Sequence, residues 1–105
     1  MTKVKIAPGA CGMDCTVCAA SEDGQSVKVT VDSPCPAVSG MIQAIGNELD
    51  AYEACLCRPG TGPMYEYAQE NFPAHCACPV IAGITKCIEA ECGLALPRPA
   101  SIEFM

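Results

Sequence analysis

The segment His75-Cys76-Ala77-Cys78-Pro79 constrains this chain more than any other. It places two thiols and the only imidazole within four residues, then runs into a proline and the apolar stretch Val80-Ile81-Ala82-Gly83-Ile84. Proline is favoured at the first helical position because its missing N–H would be unpaired there anyway. The spacing therefore predicts a helix from Pro79, with Cys78 at or beside its N-cap. A helix N-terminus carries about half a positive charge and unpaired N–H donors. Both favour thiolate, the form that binds metals and attacks disulfides. Cys35-Pro36 repeats the arrangement. Together with the cysteine-rich N-terminal segment, these two helix starts predict one converging soft-ligand site.

Ten cysteines in 105 residues would fit a disulfide scaffold, which forms in secreted proteins. That reading needs an export signal. The segment Met1 to Gly9 carries positive charge but no long apolar stretch. A cytosolic chain with reduced thiols is the expectation, and cysteines there serve metals or redox chemistry. The formal net charge of −6, with only six Lys+Arg, argues against nucleic acid or an anionic membrane as partner, since both need clustered basic residues. No segment approaches the length of a membrane span. The length fits a single domain, 1–105, with a small core to which a bound metal would matter.

Along the chain, Lys3–Ile6 alternates as a short strand ended by Pro8-Gly9. Cys11-Gly12-Met13-Asp14-Cys15-Thr16-Val17-Cys18 follows, with spacing C-x3-C-x2-C. Thr16–Ala20 continues as strand, and Ser21–Ser26, with Asp23-Gly24, is a hairpin turn. Val27–Val31 is the clearest strand. Pro36–Tyr52 is predicted as one long helix with Val38, Met41, Ile42, Ile45, Leu49 and Tyr52 as its apolar stripe. Arg58–Pro63 is loop, Met64–Asn71 a short helix and Pro79–Cys92 the last helix, ended by Gly93. Ser101–Phe104 reads as a final edge strand. The expected class is α+β: a small antiparallel sheet packed against two longer helices and one short helix.

A zinc site or a cubane cluster takes about four soft ligands. Cys15 and Cys18 have the C-x2-C spacing that points two thiolates the same way across a turn, and Cys11 extends it. Cys76-Ala77-Cys78 and Cys55-Leu56-Cys57 are C-x-C pairs. The metal candidates are Cys11, Cys35, His75, Cys76 and Cys78, with Cys15 and Cys18 able to complete a larger or second cluster site. Cys55 and Cys57 are as readily explained by packing at a helix end. Cys87 and Cys92, inside a helix, read as small buried hydrophobes.

In order and element type, residues 9–92 resemble the IscU/NifU-type iron–sulfur cluster scaffolds. Those present a Cys-Gly before a hairpin, a second cysteine opening a long helix, and a His-Cys stretch opening a later one. Here these are Cys11-Gly12, Cys35 and His75-Cys76-Ala77-Cys78. The aspartate that the family carries two residues after its first cysteine falls one later here, at Asp14. Cys76 and Cys78 both match the third ligand position, and Cys78 is favoured by its helix-cap placement. The resemblance implies an IscU-like fold, a transiently held iron–sulfur cluster, and a cluster donor or acceptor protein as partner. The chain also resembles a small uncharacterised group of cysteine-rich anaerobe proteins with a similar Cys-Pro-Val helix and Ala-Leu-Pro ending. Cys11, Cys15 and Cys18 match the radical-SAM cysteine spacing, but that family needs a partial α/β barrel about twice this length. Non-enzymatic cluster binding is the leading reading. A structural Zn²⁺ site and thiol–disulfide exchange, through Cys76 and Cys78 or Cys15 and Cys18, are the alternatives.

Overall fold

A computed structural model describes residues 1–105. Four strands form one antiparallel sheet in the order of the chain: β1 (Thr2–Ile6), β2 (Cys15–Ser21), β3 (Ser26–Asp32) and β4 (Glu48–Asp50). Four helices complete the α+β fold: α1 (Pro36–Ile45), α2 (Ala51–Cys55), α3 (Pro63–Asn71) and α4 (Val80–Glu91). No helix is long and apolar enough to cross a membrane.

The sheet has one buried face. Ile6, Cys15, Val17, Ala19, Val27, Val29 and Leu49 are buried, while Lys3, Lys5, Lys28 and Thr30 are exposed, as period-two alternation requires. Helix α4 lies over β1 and β2 and contributes Val80, Ile81, Ile84, Cys87 and Ile88 to the core; α1 adds Val38 and Met41. The β2–β3 hairpin is held at its turn by Asp23, whose Oδ1 accepts from the N–H groups of Gln25 and Ser26, both at 2.9 Å. Gly24 supplies the positive φ of 78° that this turn needs.

Two expectations are corrected. The predicted helix Pro36–Tyr52 is three elements. α1 stops at Gly46, whose φ of 86° and ψ of 164° suit glycine alone. The chain then pairs with β3 as β4, matching Leu49 to Val27, and α2 restarts behind Asp50. The Asp50 side chain caps α2 by accepting from the N–H groups of Tyr52 and Glu53. The apolar spacing misled because Ile42, Ile45 and Leu49 all pack against the core, though Leu49 does so from a strand. The second correction is at the C-terminal segment. Ser101–Phe104 is not paired as a strand, and Ile102 and Phe104 stand 88% and 101% exposed.

The direction of α4 fixes which loops meet. Near its C-terminal end, Glu91 accepts from the Thr2 hydroxyl at 2.8 Å and the Ser21 N–H at 3.0 Å, at the start of β1 and end of β2. Its first turns lie at the opposite end of the sheet, where Gly83 packs against Ile6. Ile6 is paired with Cys15, and Thr16 with Asp32. The end of β1, the start of β2 and the end of β3 therefore share one edge of the molecule with the start of α4.

Candidate functional site

At that end of the sheet the chain gathers its chemistry. Cys15 is the first residue of β2, on the buried face, and is 2% exposed. Cys35 is the N-cap residue of α1, with Pro36 at the first helical position, as the sequence predicts. Cys78 immediately precedes Pro79, which is the N-cap of α4 rather than its first helical residue. Neither N-terminus has a side-chain cap, so the free N–H donors and the positive dipole end of each helix are open to a nearby anion. Cys35 and Cys78 are half-buried. Ser33 Oγ accepts from the Cys35 N–H at 3.1 Å, and the Ser33 carbonyl accepts from Ser39 Oγ, tying the loop before α1 to its first turn.

Cys35 and Cys78 are close enough to Cys15 to act on its ionisation. Burial pushes the Cys15 thiol up, and the neighbouring charges of Cys78, Asp14 and Cys35 push it further in the same direction. Every influence on Cys15 is of this sign. The group is a set of potential anions with no cation of its own, apart from Lys5, whose Nζ lies 3.8 Å from Asp14 at the solvent edge.

The remaining candidates divide between this end and other places. Cys11 lies in the loop joining β1 to β2, in a turn closed by the Gly12 N–H on the Gly9 carbonyl at 2.9 Å, and is exposed. His75 and Cys76 occupy the turn just before α4, closed by the Cys78 N–H on the His75 carbonyl at 3.3 Å, and both are exposed. All three belong to loops at the same end of the sheet but point to solvent. No three His, Cys, Asp or Glu side chains stand close enough as arranged to hold a metal ion. Cys18 does not join the group. It shares β2 with Cys15, and three residues along a strand reverse the face. The C-x2-C spacing brings two thiolates together across a turn, and here it lies in a strand.

The other cysteines have separate roles. Cys87 is fully buried, and its Sγ–H is shared between the carbonyls of Thr2, at 3.4 Å, and Val17, at 3.7 Å. It is a core residue, as its helical position predicts. Cys55 donates to the Thr85 carbonyl at 3.7 Å. Burial first, then the charges of Glu89, Cys92 and Cys57, push its thiol up to about 12, which keeps it neutral at physiological pH. Cys57 is exposed and donates to the carbonyls of Ala54 and Thr61. Cys15 is the residue whose place sequence reasoning undervalued. Its position opposite Ile6, at the mouth of the sheet, follows from strand pairing that no local pattern announces.

Fold and site together define a small α+β protein with free thiols at one end of its sheet, two of them beside helix starts. By sequence it belongs to a family described as a family of unknown function (DUF6951), whose model matches residues 2–104. No curated protein and no solved structure matches the chain.

Proposed function

We propose that this protein binds an iron–sulfur cluster through thiolates of Cys15, Cys35 and Cys78, working in the reducing cytosol as a scaffold or carrier rather than as an enzyme. The observation that carries this reading is the convergence of these three cysteines, from sequence positions far apart, at one end of the sheet. Thiolates are the donors such clusters take, and two of these three stand beside uncapped helix N-termini. A cationic centre would also offset the burial and the neighbouring negative charge that push the Cys15 thiol up. The exposed loops carrying Cys11 and His75-Cys76 are the source of further ligands, and loading draws them inward. The resemblance of the sequence to the IscU/NifU-type scaffolds, through Cys11-Gly12, Cys35 and His75–Cys78, supports transient holding, with a cluster donor or acceptor protein as partner.

The test is anaerobic purification followed by iron, acid-labile sulfide and zinc analysis. Iron with matching sulfide, lost in Cys35→Ser and Cys78→Ser, is the expected result. Zinc near one equivalent without iron would replace this reading with a structural zinc site. Protein that holds neither metal and resists reconstitution with iron and sulfide would sink it.

A further inference from the structure

Strand β1 is an edge of the sheet, paired only with β2. One side of its backbone is a row of N–H and C=O groups free to accept another strand. The same chain carries an unused strand. Ser101-Ile102-Glu103-Phe104 alternates polar and apolar residues, yet it is unpaired, and Ile102 and Phe104 are almost wholly in water. We propose that Ser101–Phe104 adds to β1 of a second copy, and that the second copy's tail adds reciprocally to the first, forming a two-fold dimer with two exchanged edge strands.

Three features fit the tail to β1, and since it lies unpaired in its own chain, the occupant is a second copy. The segment leading to the tail, Leu96-Pro97-Arg98-Pro99-Ala100, holds two prolines. Proline and the residue before it favour extended backbone, and no backbone hydrogen bond ties Pro99–Phe104 to the chain's own sheet. Leu94 and Ala95 are tied to α4 by donating to the Glu89 carbonyl, and the Arg98 N–H closes a turn on the Leu96 carbonyl, so the tail is free of backbone hydrogen bonds only beyond Arg98. The faces also match. β1 presents Val4 and Ile6 toward the core and Lys3 and Lys5 outward. A tail strand with Ile102 and Phe104 on the core side extends the apolar face, and Glu103 then falls on the side of Lys3 and Lys5. Finally, the charges are complementary. Edge lysines ordinarily deter strand addition, and Glu103 is the one charged residue in Ser101–Phe104. The other charged group facing these lysines is Asp14, 3.8 Å from Lys5; Lys3 has no ion-pair partner within the chain.

Light scattering of the full chain across a dilution series tests this. The expected mass at high concentration is twice the 10.9 kDa of one chain, falling to 10.9 kDa in Phe104→Asp and Ile102→Asp. These side chains lie outside the core, so circular dichroism should be unchanged. Glu103→Lys should weaken the dimer, and adding Lys3→Glu and Lys5→Glu should restore it. Amide exchange in β1 should slow on dimerisation. A chain that stays monomeric at every concentration overturns the proposal, as does a dimer that survives Phe104→Asp. Monomeric protein whose β1 amides lose protection on tail removal would instead place the tail on its own sheet, and would overturn pairing between copies. The tail contains no cysteine, so none of these results bears on cluster binding.

Discussion

A single position along β2 decides whether a cysteine faces the site or the solvent side of the sheet. Cys15 and Cys18 look equivalent as a C-x2-C pair, but strand geometry sends them to opposite faces. Cys15→Ser should therefore remove most of the iron from anaerobically loaded protein, while Cys18→Ser should retain it. Equal loss in both variants would show that β2 does not hold its register in the loaded state. Cys87→Ala should also keep its iron, since its thiol is buried in the core and hydrogen-bonds to the Thr2 and Val17 carbonyls. Gly83 is a residue whose role lies wholly in packing. A Cβ there would come within 2.7 Å of Ile6 Cγ1. Gly83→Ala gains helix propensity worth about 1 kcal/mol but overpacks the α4–β1 contact at about 1–3 kcal/mol. A net loss of about 1 kcal/mol in urea denaturation is expected, partly recovered by Ile6→Val in the same chain.

Among the elements, the break between α1 and α2 is the most consequential. It turns a stretch that reads as helix into a fourth strand and so widens the sheet on the β3 side. Gly46 makes the break possible through a backbone conformation that side chains resist. Gly46→Ala should cost about 1–3 kcal/mol, measured as a lower denaturation midpoint, without lengthening α1. A longer helix with unchanged stability would contradict this, since β4 would then contribute nothing. The signals for the break were in the chain: Gly46-Asn47 is a turn pair, and Asp50 is a capping residue with two N–H groups to accept from. They were outweighed by an apolar period that happens to suit both readings. By contrast, α4 and the β2–β3 hairpin were legible, because the Asp-Gly turn, the valine alternation and the Cys-Pro start each specify local geometry.

For the molecule as a whole, thiols pushed up by burial shape the response to alkaline pH. The Cys55 thiol is raised from its ordinary value of 9.0 to about 12 by folding. The unfolded chain therefore releases this proton first as the solution becomes alkaline. Stability from this source is fully present below pH 9 and is lost progressively as pH rises toward 12; Cys15 and Cys87, also raised, act in the same direction. The denaturation midpoint of metal-free protein should fall between pH 8 and pH 11, and Cys55→Val should flatten that fall. A pH-independent midpoint would mean that Cys55 is as hydrated in the folded state as in the unfolded one. On the proposed function, a bound metal would act in the opposite sense. A ligand present at about a hundred times its dissociation constant stabilises the folded state by about 2.7 kcal/mol, so chelation of loaded protein should lower its melting temperature.

By itself the sequence determined the α+β class, the cores of β1, β2 and β3, the position of α4, and the placement of Cys35 and Cys78 at helix starts. These depend on periodicity, proline and capping chemistry, which act over a few neighbouring residues. The tertiary structure alone decided that Cys15 joins Cys35 and Cys78, that Cys18 does not, and that Leu49 is a strand residue. Each of those depends on pairing between segments distant along the chain, where the free energy comes from contacts that no local pattern encodes.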